Sequence, residues 1–94
     1  MNYEIKHEPE NQRFITVIDG KECLIEYSIP EDGIIDFHHT FVPYQLRGRA
    51  IAAELVKTAL NYARTNNFKV IPSCSYVNRF IERNKEYSKL VKEN

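Results

Sequence analysis

Along the first forty residues apolar side chains tend to recur at every second position, and beyond position 50 they recur every third or fourth. Tyr3, Ile5 and His7 alternate with polar neighbours and predict a first strand. Arg13–Ile18 and residues 22–29 are rich in β-branched and aromatic side chains and predict the second and third. Between them stands Asp19-Gly20, a pair that tolerates the positive φ angles of a two-residue hairpin turn. Pro30-Glu31-Asp32-Gly33 predicts another turn. A fourth strand follows over residues 34–42, ended by Pro43, whose nitrogen cannot donate to a ladder. Four strands joined by short turns make an antiparallel meander.

The period then changes. Ile51, Ala52, Leu55, Val56, Ala59, Leu60 and Ala63 mark one buried helical face, with Glu54, Lys57, Asn61 and Arg64 largely opposite. Asn66-Asn67 suits a C-terminal cap, because Asn tolerates the left-handed conformation. Residues 68–72 (FKVIP) predict a short fifth strand. A helix separates it from the fourth, so the two should run parallel with a right-handed crossover. From Ser75 the chain reads as helical again with Val77, Phe80 and Ile81 inward. Tyr87, Leu90 and Val91 predict a last short turn or helix, in a stretch from Lys85 to Lys92 that otherwise reads as solvated surface. The order β-β-β-β-α-β-α is α+β: a mostly antiparallel sheet, a βαβ crossover to a parallel fifth strand, and a C-terminal helix.

Size and charge narrow the classes. The chain has 94 residues, which predicts one domain over 1–94. Thirteen basic residues offset thirteen acidic ones, so no overall field points to nucleic acid or an anionic membrane, and any anion site must be local. The apolar runs are too short to cross a bilayer and Met1-Asn2-Tyr3-Glu4 does not resemble the start of a signal peptide. Cys23 and Cys74 are too few and too distant for a disulfide framework or a zinc site. A reducing cytoplasm, no metal, and a monomer or weak homodimer are the expectations.

The start of the long helix poses the chemical question. Helix N-termini carry roughly half a positive unit and favour acids, yet Arg47 and Arg49 stand there, and no Ser, Thr or Asp precedes the apolar run. A strand-to-helix corner with Gly48 and free N–H groups is a ready anion site, and the two arginines then become partners for a phosphate, best a pyrophosphate.

The letters around that corner carry a resemblance. Gln45-Leu46-Arg47-Gly48-Arg49-Ala50 matches the Q/R-x-x-G-x-G/A pattern of the GCN5-related N-acetyltransferases. His39-Thr40-Phe41-Val42-Pro43, residues 70–77 (VIPSCSYV) and Glu86-Tyr87 resemble segments of that family's smallest, single-domain branch. The resemblance runs from about residue 34 to 91. It implies a minimal acetyltransferase fold in which strands four and five splay and the pantetheine arm of acetyl-CoA lies in the gap. By that analogy the backbone of Phe41 and Val42 pairs with pantetheine amides. The amides of residues 46–50, from Leu46 to Ala50, wrap the pyrophosphate, with Arg47 or Arg49 near a phosphate. Asn78, early on the last helix, approaches the cofactor.

Cys74 follows strand five just ahead of a helix start, a setting that suits a covalent nucleophile, and the branch carries a cysteine at the matching position. The plain alternative is a small residue closing a strand. His38 and His39 are adjacent on a strand, so alternation puts them on opposite faces, and His39, matching the branch's His-Thr pair, is the candidate base. Packing is the alternative for either ring. Cys23 reads as core, and Tyr27, Tyr44, Tyr62, Tyr76 and Tyr87 as partly buried with hydroxyls reaching out. Two departures from the branch stand out: Phe41 where an acidic residue is common, and Arg83-Asn84-Lys85 in place of Arg-His-Pro.

Two functions follow. One is acetyl transfer from acetyl-CoA to an amine on a small molecule or a protein, directly or through Cys74. The other is a non-catalytic acyl-CoA-binding or sensing module that works with a partner protein. The loop around residues 8–12 is too short to hold the extra helices of longer family members, which leaves the acceptor side open.

Overall fold

A computed structural model, which describes residues 3–93, places five strands in one sheet in the order β1-β2-β3-β4-β5. β1 (Lys6–Glu8), β2 (Arg13–Ile18), β3 (Lys21–Glu31) and β4 (Ile34–Phe41) are antiparallel neighbours, and β5 (Lys69–Ile71) runs parallel to β4. α1 (Ile51–Thr65) joins β4 to β5, and α2 (Ser75–Arg83) follows β5. This is the expected α+β order, with β2 at its predicted bounds. The Asp19-Gly20 turn has φ of +53° and +74°, the pair of positive angles that a type I′ hairpin turn requires.

β3 is longer than predicted. Its register against β4 slips between Ser28 and Glu31, so an extra β3 residue is absorbed there, and the turn shrinks to Asp32-Gly33. Pro30 falls in that irregular stretch, where a missing N–H costs no ladder bond.

One sheet face packs on the helices. Phe14, Ile25, Tyr27 and Phe37 meet Leu55, Ala59 and Leu60 of α1 and Val77 and Ile81 of α2 in one core. α1 buries the predicted stripe, except that Ala52 is half-buried. The other face carries no helix. There Lys6, Ile15, Leu24 and Phe41 stand in register across four strands, and Phe41 and Val17 are exposed.

The C-terminal stretch departs from the solvated surface expected of it. A 3-10 helix spans Lys85–Leu90 and buries Tyr87, and Val91 bridges Val70 while the Lys92 N–H donates to the Val70 carbonyl at 2.9 Å. The tail therefore covers the outer edge of β5, satisfying backbone groups that a solvated strand would leave to water. Under the C-terminal end of α1, the His7 ring stacks on Phe14 at 4.3 Å and meets the Tyr62 ring edge-on at 4.5 Å. Its Nε2 lies 2.6 Å from the Tyr27 hydroxyl. Burial lowers the His7 pKa, with Glu10 acting weakly the other way.

Candidate cofactor cleft and transfer site

The connection from β4 to α1 is built around Leu46, which is buried and anchors a 3-10 turn over Tyr44–Leu46. The N–H groups of Leu46 and Arg47 donate to the Pro43 and Tyr44 carbonyls at 2.9 and 3.2 Å, so both are already used within the loop. The next amides are not. From Gly48 to Ala53 no N–H makes a hydrogen bond of good geometry among the described residues, Arg47-Gly48 forming only a loose turn, and the first bond into the helix is Glu54 N–H to Ala50 O at 3.1 Å. No side chain caps the helix. Gly48 and Ala50 both have positive φ, +87° and +61°. Reversed residues interleaved with ordinary ones turn successive N–H groups to one side and make an anion-binding concavity. Holding Ala50 there costs roughly 1–2 kcal/mol. A Cβ on Gly48 would meet nothing within 4 Å, so this glycine answers to its backbone angle and not to packing.

The arginines are only partly engaged by the chain. Arg47 Nε donates to the Val42 carbonyl at 3.1 Å and its guanidinium lies 5.9 Å from the centre of the exposed Tyr44 ring. That contact ties the two ends of the loop together. Arg49 reaches Asp19 of the β2–β3 turn at 3.6 Å, with both side chains largely in solvent, where such pairs contribute little.

Beside this loop lies a cleft of about 400 Å³, lined by Val42, Leu46 to Gly48, Ala50 to Ala52 and, from α2, Tyr76. Tyr76 stands at the cleft, where Asn78 is the residue expected by analogy. Two residues along a helix rotate the side chain by about 200°, which sets the exposed Asn78 on the flank away from Tyr76. Gln45 is exposed on the outer side of the loop.

Back along β4 from the Val42 wall of the cleft, β4 and β5 part. Their last rung is Asp36–Ile71; beyond it the Phe37 carbonyl accepts the Cys74 N–H at 2.9 Å, and no strand lies beside residues 38–42 on that edge among the described residues. Thr40 Oγ1 and Cys74 Sγ face each other across the opening at 3.5 Å. Cys74 is half-buried and stands at the N-cap of α2. Thr40 is here because of a β-bulge: Glu26 pairs with His39 but Tyr27 with Phe37, so His38 is an extra residue. One extra residue swaps the faces of all that follow. Without it His39 and Phe41 would turn toward the helices; with it Thr40 and Val42 do. The alternation expected of His38 and His39 therefore fails, and both are exposed, His39 on the helix-free face across from Glu26.

Asp36, at the fork itself, was not singled out in the sequence. Its neighbours Ile35 and Phe37 are fully buried in the core, so by alternation Asp36 belongs to the helix-free face, and its Oδ1 is buried without a partner. An unpaired carboxylate oxygen there can accept an ammonium or a proton. The available signal was an acid inside the apolar run IIDF. Cys23 is fully enclosed and burial pushes its thiol pKa up, which suits packing and not chemistry. Among the described residues no group of His, Cys, Asp or Glu is arranged to hold a metal ion, and no helix is long and apolar enough to cross a membrane.

Comparison with known proteins matches this geometry. The family model described as GCN5-related N-acetyl-transferase covers residues 13–90. The protein NATD1 of chicken (Gallus gallus) is 28% identical over 83 residues, spanning 86% of this chain and 76% of its own. Human (Homo sapiens) NATD1 is 28% identical over 82 residues, spanning 85% and 73%. The solution structure of a GCN5-like protein from Staphylococcus aureus superposes with a TM-score of 0.78 at 28% identity, over 99% of this chain and 91% of that one.

Proposed function

Because the chain belongs to the GCN5-related N-acetyltransferase family, we propose that it binds acetyl-CoA between the β4–α1 loop and α2 and transfers the acetyl group to an amine. One observation carries this reading: consecutive amides from Gly48 to Ala53 without good acceptors, at an uncapped helix start flanked by Arg47 and Arg49. A pyrophosphate is the anion whose several oxygens can occupy such a row. The β4 edge that no strand covers beyond Phe37 among the described residues is where pantetheine amides would complete the sheet at Phe41 and Val42, with the Val42 carbonyl now held by Arg47 Nε at 3.1 Å, and the Thr40–Cys74 pair lies two residues from the Val42 and Tyr76 walls of the cleft.

Bound acetyl-CoA would supply an activated acetyl thioester. The chain's own residues would place it and manage protons. In direct transfer an amine would approach from the helix-free face, where Asp36 or His39 would take its proton. In the covalent route the Cys74 sulfur accepts the acetyl group, its proton passes to the departing thiolate, and the amine then takes the acetyl from Cys74.

A second reading keeps the cofactor and drops the transfer: an acyl-CoA-binding or sensing module that acts with a partner. The exposed Phe41, where the small branch commonly has an acid, and the bare sheet face favour it. Intact-mass analysis and an amine panel with acetyl-CoA separate the readings. Transfer through Cys74 adds one acetyl mass to the wild type and none to Cys74→Ala. Direct transfer acetylates amines with both proteins unmodified. Neither product, with acetyl-CoA still bound, leaves the sensing module.

A further inference from the structure

The cleft does not end at Tyr76. The same ring lines a second, smaller hollow of about 120 Å³ along α2, whose other walls are Arg79, Phe80 and Arg83. At about 100° per residue, Tyr76, Arg79, Phe80 and Arg83 fall on one flank of α2, while Val77 and Ile81 face the core. Glu82 borders that flank, about 60° round from Arg79 on the side of Asn78, and makes no ion pair with either arginine among the described residues. Arg83 comes close enough to Tyr76 to draw its hydroxyl pKa down against the larger upward push of burial. Neither Arg79 nor Arg83 makes an ion pair among the described residues, and Glu86, the next acid along the chain, lies beyond α2 in the 3-10 helix. Two unpaired guanidiniums one helical turn apart, beside a ring that is 40% exposed, suit a doubly charged phosphate monoester attached to an aromatic base.

Resting on the cofactor reading above, we propose that Tyr76, Arg79 and Arg83 form the subsite for the nucleotide end of coenzyme A, with the two arginines holding the ribose 3′-phosphate and Tyr76 packing beside the base. The pyrophosphate row at Gly48–Ala53 and this hollow share one wall, so a ligand whose diphosphate fills the first has its nucleoside next to the second. The consequence is selectivity. Thioesters of coenzyme A are taken in preference to thioesters that end in a bare phosphopantetheine arm, such as those carried on acyl carrier proteins, and to the cofactor lacking its 3′-phosphate.

The test is calorimetric binding of coenzyme A and of 3′-dephospho-coenzyme A to three proteins: the wild type, the doubly substituted Arg79→Gln, Arg83→Gln protein, and Gly48→Glu. Charge-assisted contacts of this kind predict that the wild type binds coenzyme A at least about tenfold more tightly than the dephospho form. The arginine variant should bind both with the weaker affinity, and Gly48→Glu should bind neither. Equal binding of the two ligands by the wild type, or discrimination that survives in the arginine variant, overturns the subsite and leaves the pyrophosphate row intact. Undiminished binding by Gly48→Glu overturns the row as the cofactor site, and a wild type that binds neither ligand overturns both. Both arginines are solvent-exposed, so an unchanged melting temperature of the unliganded variant shows that the comparison concerns binding and not folding.

Discussion

At its C-terminal end α1 is closed by the chain itself. The Phe68 N–H donates to the Ala63 carbonyl at 2.9 Å and the Asn67 N–H to the Arg64 carbonyl at 3.3 Å, with Asn67 at φ +60°. This is a Schellman closure, with Asn in the left-handed seat usually held by Gly. Asn66 adds a side-chain bond to the Tyr62 carbonyl, and Arg64 places a cation where the dipole favours one. The N-terminal end has the opposite finish: no cap, arginines just ahead of the first turn with Glu54 as that turn's acid, a strained Ala50 and a row of amides without good acceptors. The helix is the same, so propensity cannot explain the contrast. On the cofactor reading, the first terminus is completed from within because it only holds the fold together, and the second is left for the proposed ligand to complete.

Three perturbations sharpen that contrast. The largest effect belongs to Gly48→Glu, which sets a carboxylate at the anion row. Acetyl-CoA at about a hundred times its dissociation constant should stabilise the wild type by about 2.7 kcal/mol, read as a rise in melting temperature, and this rise should vanish in the variant. A preserved rise would place the ligand elsewhere. Asn67→Ala acts on the closed end. A Cβ-bearing residue without a local polar side chain at φ +60° should cost about 1 kcal/mol of stability while leaving the acetyl-CoA shift intact, and Asn67→Gly should not lose stability. Equal damage to binding from Asn67→Ala would mean the two ends are coupled.

The smallest effect is a pH dependence at the closed end. Burial depresses the His7 pKa in the folded state, so the folded chain binds fewer protons there than the unfolded one. The stability involved is fully present above the ordinary value of 6.5 and is lost as pH falls from there through the lower folded value. Thermal melts between pH 8 and 5 should show this loss in the wild type and a reduced slope in His7→Gln. The same slope in both proteins would assign the titration to another group.

Much of this molecule was legible in its letters, and the failures have definite causes. β2, the Asp19-Gly20 turn and the buried stripe of α1 follow from alternation, a turn dipeptide and helical spacing, all of which act between near neighbours. The uncapped helix start was legible because three local anomalies coincide at Arg47-Gly48-Arg49. The bulge at His38 was not. Alternation counted through residues 34–42 assigns His39 to the inner face, and nothing in IIDFHHTFV announces the extra residue that hands the place beside Cys74 to Thr40. That Tyr76 lines the cleft was not legible for a related reason: Tyr76 and Asn78 both lie early on α2, and only the packing of that helix against α1 decides which flank borders the cleft.

The sequence by itself determined the elements, their order and the charge anomaly at one helix start, because those depend on contacts a few residues apart. Tertiary structure decided where β4 and β5 separate, which β4 side chains enter the opening, and that Arg79 and Arg83 line a hollow sharing Tyr76 with the cleft beside a loop some thirty residues earlier in the chain. Those outcomes depend on pairing register and helix rotation, which are set when distant segments bury their apolar faces together and which leave no local pattern to read.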